Sequence, residues 1–105
     1  MQFVETSAFT RRVRKLLDME AYAGLQLHLI LNPEAGSIIR GTGGLRKIRW
    51  QIRSRGKRGG VRVIYYWLKD RETILMLFAF GKSERADLSE EQRRILRQVV
   101  EKELR

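Results

Sequence analysis

The sequence predicts an α+β domain, a small antiparallel sheet with helices packed against it, from three observations. Apolar residues recur at three- and four-residue steps before Pro33 and again after Ser89. Between Leu45 and Phe80 the pattern switches to period two. The segments then fall in the order β-α-α-β-β-β-α, with a helical hairpin near the start and a single helix at the end. At 105 residues the chain suits one core and is too short for two, so a single domain over 1–105 is expected.

Each element has its own signal. Gln2 to Glu5 reads as a short strand with Phe3 and Glu5 on one side and Val4 on the other. Ser7 can cap a helix from Ala8, in which Phe9, Val13, Leu16 and Leu17 form the apolar stripe. Arg11, Arg12, Arg14 and Lys15 fill its wet side. Asp18 suits a second N-cap, and Tyr22, Leu25, Leu29 and Ile30 mark a helix that stops near Asn32-Pro33, because proline disfavours helical geometry in the residue before it. Glu34 to Gly44 reads as a loop with a flexible Gly41-Thr42-Gly43-Gly44 end.

The strands follow. Leu45, Lys47, Arg49 and Gln51 share one side of the first, and Arg46, Ile48, Trp50 and Ile52 the other. Arg53 to Gly60 is a glycine-rich turn, and Val61 to Leu68 is β by composition. After a turn at Lys69-Asp70-Arg71-Glu72, Thr73 to Phe80 is apolar enough to be the central, doubly covered strand. Ser89 and Gln92 form a capping box that opens the last helix, with Ile95, Leu96, Val99 and Val100 facing inward.

Charge is the most informative property. The chain has a formal net charge of +10, yet Arg40 to Arg71 alone hold eleven Lys/Arg against one acid, Asp70, and the other residues balance. A basic field gathered on one hairpin suits a polyanion, because each neutralised phosphate releases condensed counterions. Charge serving solubility alone would be spread and mixed in sign. The absence of cysteine excludes a disulfide scaffold and thiolate-bound zinc, and fits a reducing cytoplasm. With a single histidine, His28, no imidazole metal cluster is expected, and His28 reads as an ordinary helix residue. The start lacks a signal-peptide core and no apolar run approaches a membrane span, so a soluble cytoplasmic protein without membrane partner or small-molecule cofactor is expected. The Gly41–Gly44 run lacks a Lys-Ser or Lys-Thr ending and precedes a strand, which argues against a phosphate loop.

The candidate site is cationic. Lys47 and Arg49 share a strand face, Arg62 shares one with Ile64 and Tyr66, and Lys82 and Arg85 begin where the sheet ends. If Arg62 lies opposite Lys47 or Arg49, these cations converge, which favours a phosphate among them. If not, they are solvated residues of a half-exposed sheet. Arg46, Arg53, Arg55, Lys57, Arg58, Arg85 and Tyr66 extend the set as candidate RNA contacts, the tyrosine by stacking on an unpaired base. Tyr65 and Tyr66 point to opposite sides, so one of them belongs to the core, and Trp50 is expected there too.

The blocks GTGGLRKIR, GKRGGVRVIYY and FGKSERADLS, with the order of elements before them, resemble the RelE superfamily of toxins from toxin–antitoxin modules, most closely its HigB branch. The resemblance spans essentially the whole chain. It implies a ribosome-dependent mRNA endoribonuclease that cuts the codon being read, and a cognate antitoxin, HigA-like with a helix-turn-helix domain. By position, the family's catalytic cations match Lys47 and Arg49, its third-strand arginine matches Arg62, and the basic residue after the last strand's glycine matches Lys82. Ser83 and Leu88 depart from RelE, which has an arginine and a tyrosine there.

RNA cleavage can proceed without metal. Clustered cations stabilise the phosphorane, and a lysine among cations gives up its proton more readily. Arg49 and Arg62 are therefore cast as phosphate clamps, and Lys47 and Lys82 as proton-transfer candidates. Two alternatives remain open: a ParE-like gyrase poison of the same fold, against which the basic set counts, and a non-catalytic RNA- or ribosome-binding protein.

Overall fold

A computed structural model describes residues 1–51, 60–82, 84 and 87–104. The elements are β1 (Gln2–Glu5), α1 (Ser7–Leu16), α2 (Met19–Leu31), β2 (Ser37–Ile38), β3 (Arg46–Trp50), β4 (Val61–Leu68), a 3-10 turn (Lys69–Arg71), β5 (Thr73–Gly81) and α3 (Glu90–Leu104). The expected order is present, with one addition: the segment read as a loop contains the two-residue strand β2.

The five strands form one sheet in the order β1-β5-β4-β3-β2. Pairing is antiparallel except at one edge, where β1 runs parallel to β5. Pattern alone does not fix the direction of a pairing between segments about seventy residues apart. The middle strand is β4, and β5, expected to be central, lies beside it; both are buried along almost their whole length.

One face of the sheet carries Ile48, Val61, Val63, Tyr65, Ile74 and Met76 against Phe9 and Val13 of α1 and Leu25 and Leu29 of α2. The other carries Leu45, Ile64, Leu75, Leu77 and Phe80 against Leu88 and against Val100 of α3. A register shift between Ile64 and Tyr65 leaves Leu77 as an extra residue of β5, the usual signature of a β-bulge.

The caps follow local chemistry. Thr6, not Ser7, caps α1: its hydroxyl accepts from the Phe9 N–H at 3.0 Å and donates to the Leu77 carbonyl at 2.8 Å, tying the helix start to β5. Asp18 caps α2 through the Ala21 N–H at 2.7 Å. Ser89 and Gln92 exchange both bonds of the capping box, at 2.9 and 3.1 Å. Ile30 and Ile95, expected to face inward, are exposed, so each helix buries a narrower stripe than its composition suggests. Arg12 does not lie on a wet face; it donates to the Ala79 carbonyl, pairs with Glu84 and covers the Phe78 ring.

The glycine run before β3 is a tied turn. Thr42 is buried and its hydroxyl donates to the Ile39 carbonyl at 2.6 Å while accepting from the Leu45 N–H at 3.2 Å. Gly44, at φ +115°, lies so close to Tyr66 that a Cβ would be 3.0 Å from the ring. Among the described residues no helix is long and apolar enough to cross a membrane.

Candidate functional site

The sheet register decides the convergence. Arg49 lies directly opposite Arg62, and Lys47 opposite Ile64. Residues on opposed positions share a face, so Lys47, Arg49 and Arg62 all stand on the face that α3 covers. Arg62 also pairs in register with Phe80 and is only 7% exposed. Arg49 is exposed, and Lys47 is half-buried.

These three cations line one cleft of about 510 Å³. It lies at the outer side of β3. There β2 pairs only with Arg46 and Lys47, so side chains of both sheet faces reach the rim. Ser37, Ala35, Ile48, Trp50 and His28 complete the lining. The convergence expected from sequence is therefore present for Lys47, Arg49 and Arg62. Lys82 follows Gly81, the register partner of Val61, and is exposed, but it is not among the residues that line the cleft.

His28, read as an ordinary helix residue, belongs to this cleft. It occupies the last turn of α2, with its ring tilted against Trp50 at a centroid distance of 5.5 Å. The Trp50 indole is half-buried and donates to the Ala21 carbonyl at 3.0 Å, which fixes the wall on which the imidazole rests. Nothing in the sequence brought α2 to β3; the contact comes from tertiary packing.

Asp87 is a second residue the sequence reading passed over. Its carboxylate lies 3.3 Å from Lys47 Nζ and 3.6 Å from Arg93 Nη2, and accepts from the Leu88 N–H at 2.8 Å. Burial alone would raise its pKa. The Leu88 amide and the charges of Lys47 and Arg93 outweigh that and hold the carboxyl below the ordinary aspartate value. Lys47 is thus neutralised in part by a carboxylate, which tempers the repulsion expected from a purely cationic cluster.

Other candidates are structurally engaged. Arg46 donates to the Gly36 carbonyl at 2.8 Å and pairs with Glu34 at 3.4 Å, bracing β3 against the segment before β2. Tyr66 is half-buried beneath the Arg97 guanidinium, 5.8 Å from its ring centroid, so one ring face is already covered. Tyr65 is the core member of the pair and is fully buried. Its hydroxyl accepts from the Gly36 N–H and donates to the Pro33 carbonyl, each at 2.8 Å, and burial raises its pKa. Arg53, Arg55, Lys57, Arg58 and Arg85, like Ser83, lie outside the described residues.

No family model matches the chain. Solved structures do. The isolated E. coli RelE toxin aligns with a TM-score of 0.58 at 19% identity, covering 93% of this chain and 97% of that one. A chain of the intact E. coli RelBE toxin–antitoxin complex gives 0.59 at 23% identity, over 80% of this chain and 98% of its own. An E. coli RelE mutant in the free state gives 0.56 at 18%, over 79% and 84%. At such identities the likeness is one of architecture: the chain has the RelE fold.

Proposed function

We propose that this protein is the toxin of a toxin–antitoxin module and acts as a ribosome-dependent mRNA endoribonuclease. The observation that carries the reading is the cross-strand pair Arg49–Arg62, with Lys47 beside it, around one open cleft on a RelE fold. The two arginines, in register on adjacent strands, bring positive charge from both strands to one cleft. A scissile phosphate is an anion of the right charge, and arginine's planar fork suits its oxygens.

In this reading Arg49 and Arg62 hold the phosphate and stabilise the charge that builds on the phosphorane as the 2′-oxygen attacks. The 2′-hydroxyl gives up a proton and the departing 5′-oxygen takes one. Lys47 and His28 both line the cleft and are the candidates for these transfers. The reaction uses no metal. Holding the message in a bent, in-line geometry is left to the ribosome, which accounts for dependence on it.

The partner in this reading is an antitoxin, HigA-like with a helix-turn-helix domain, that suppresses the activity. The similarity to a chain of the RelBE complex supports an antitoxin partner, and the HigA-like form comes from the sequence resemblance alone. Cleavage on translating ribosomes tests the proposal. Arg62→Ala with Lys47→Ala should lower the cutting rate about 100-fold or more; cutting at the wild-type rate moves the site elsewhere. Growth arrest with DNA damage and intact mRNA would instead support the ParE-like gyrase poison.

A further inference from the structure

A second cationic cavity lies apart from the first, with no lining residue in common. It has a volume of about 540 Å³ and lies between α3 and the turn before β3, with Arg40, Arg93, Arg94 and Arg97 in its lining beside Glu90 and Glu101. The four arginines differ in what they already do. Arg97 is fixed: it pairs with Glu101 at 3.2 Å, donates to the Gly43 carbonyl at 3.1 Å and covers Tyr66. Arg94 reaches Glu91 only at 4.0 Å on an exposed surface, and such a contact binds weakly. Arg40 is exposed.

Arg93 is the informative one. Its Nη2 lies 3.6 Å from Asp87, but its Nε is buried without a hydrogen-bond partner among the described residues. A buried N–H of a charged group lacking an acceptor is costly, and a missing anion or water is its ordinary explanation. The same Asp87 carboxylate holds Lys47 of the first cleft at 3.3 Å. One acidic side chain thus links a cation of the first cleft, Lys47, to a cation of the second, Arg93.

We propose that the α3 cavity is a second phosphate subsite, gripping the backbone of RNA at a distance from the link being cut. The idea rests on the reading of the chain as an RNA-cleaving toxin, although the ligand it names, a ribose-phosphate backbone, does not depend on cleavage. Two sources supply that chemistry: the message itself, or ribosomal RNA beside it. Arg40 and Arg94 carry the binding and are free of the structural duties of Arg97.

The experiment measures affinity against salt for the full-length protein carrying Arg40→Gln and Arg94→Gln. The probes are a single-stranded RNA oligonucleotide and the intact ribosome. Each lost phosphate contact should reduce the slope of log K against log salt by about 0.7 for single strands and measurably on the ribosome. A reduced slope for both probes assigns the subsite to the message. A reduced slope on the ribosome alone assigns it to ribosomal RNA. Unchanged slopes with both overturn the proposal. Gln98→Glu, which keeps every arginine and adds a charge to the same cavity, should weaken binding as well. Failure of the wild-type protein to cut mRNA would sink the nuclease reading and leave these slopes as measured, so the two failures are distinguishable.

Discussion

Asp87 shows how a single residue ties the site to the rest of the fold. Its carboxyl is held low against its own partial burial by the Leu88 amide and by Lys47 and Arg93. A group with a depressed folded-state pKa favours folding above its unfolded value, and that contribution is lost as pH falls through the lowered one. Because Asp87 is largely exposed, the stability at stake is small. The titration itself is measurable: by carboxyl NMR its midpoint should lie below the ordinary aspartate value and rise in Lys47→Ala. An unmoved midpoint would show that the 3.3 Å pair is not maintained in solution. His28 offers a second residue-level test. It is exposed, so His28→Gln should fold normally, yet ribosome-dependent cleavage should slow. A cleavage rate equal to wild type would return His28 to a packing role against Trp50. Tyr65 makes the structural contrast. Tyr65→Phe leaves the buried Gly36 N–H and the part-buried Pro33 carbonyl without their bonds, so it should cost about 1–3 kcal/mol in urea denaturation.

The elements that could be read from sequence are those whose signals are local. The capping box at Ser89, the cap at Asp18 and the stop at Pro33 are short-range chemistry, and each stands where the pattern put it. The α1 cap moved by one residue because Thr6 offers two bonds, one of them to Leu77, seventy-one residues away. Thr6→Ala should therefore cost about 1 kcal/mol for the cap plus a share for the orphaned Leu77 carbonyl, read as a lower melting temperature. A loss no larger than that of Ser7→Ala would contradict the assignment. The pairing of Arg49 with Arg62 is only a condition at the level of sequence, since period two assigns faces but not which residue lies opposite which. Period-two reading put Lys47 and Arg49 on one face without naming what that face meets. The bulge that leaves Leu77 extra, the parallel docking of β1, and the approach of α2 to β3 are long-range outcomes of packing. For that reason His28 and Asp87 escaped notice while the three strand cations did not.

At the scale of the molecule, the sheet binds its two faces into one unit. Strands β4 and β5 send alternate residues to opposite sides: Val63 and Ile74 toward α1 and α2, Ile64 and Leu75 toward α3. Neither helical layer can leave without stripping apolar area from strands that the other layer needs. The cleft depends on this arrangement, because Arg49 and Arg62 stay opposed only while β3 and β4 remain paired. Val100 of α3 tests the coupling from the side away from both tryptophans. It is fully buried, whereas Trp50 and Trp67 pack against the α1–α2 face. Val100→Ala removes two methyl groups from a filled core, a loss of about 1–3 kcal/mol. For a domain near 100 residues each kcal/mol shifts the melting temperature by about 4–8 °C. Tryptophan fluorescence from the far face and helical circular dichroism should therefore fall together, at one lowered temperature. Separate transitions, with the tryptophan signal melting at its wild-type temperature, would mean that the two layers fold independently and that the cleft is not held by the whole sheet.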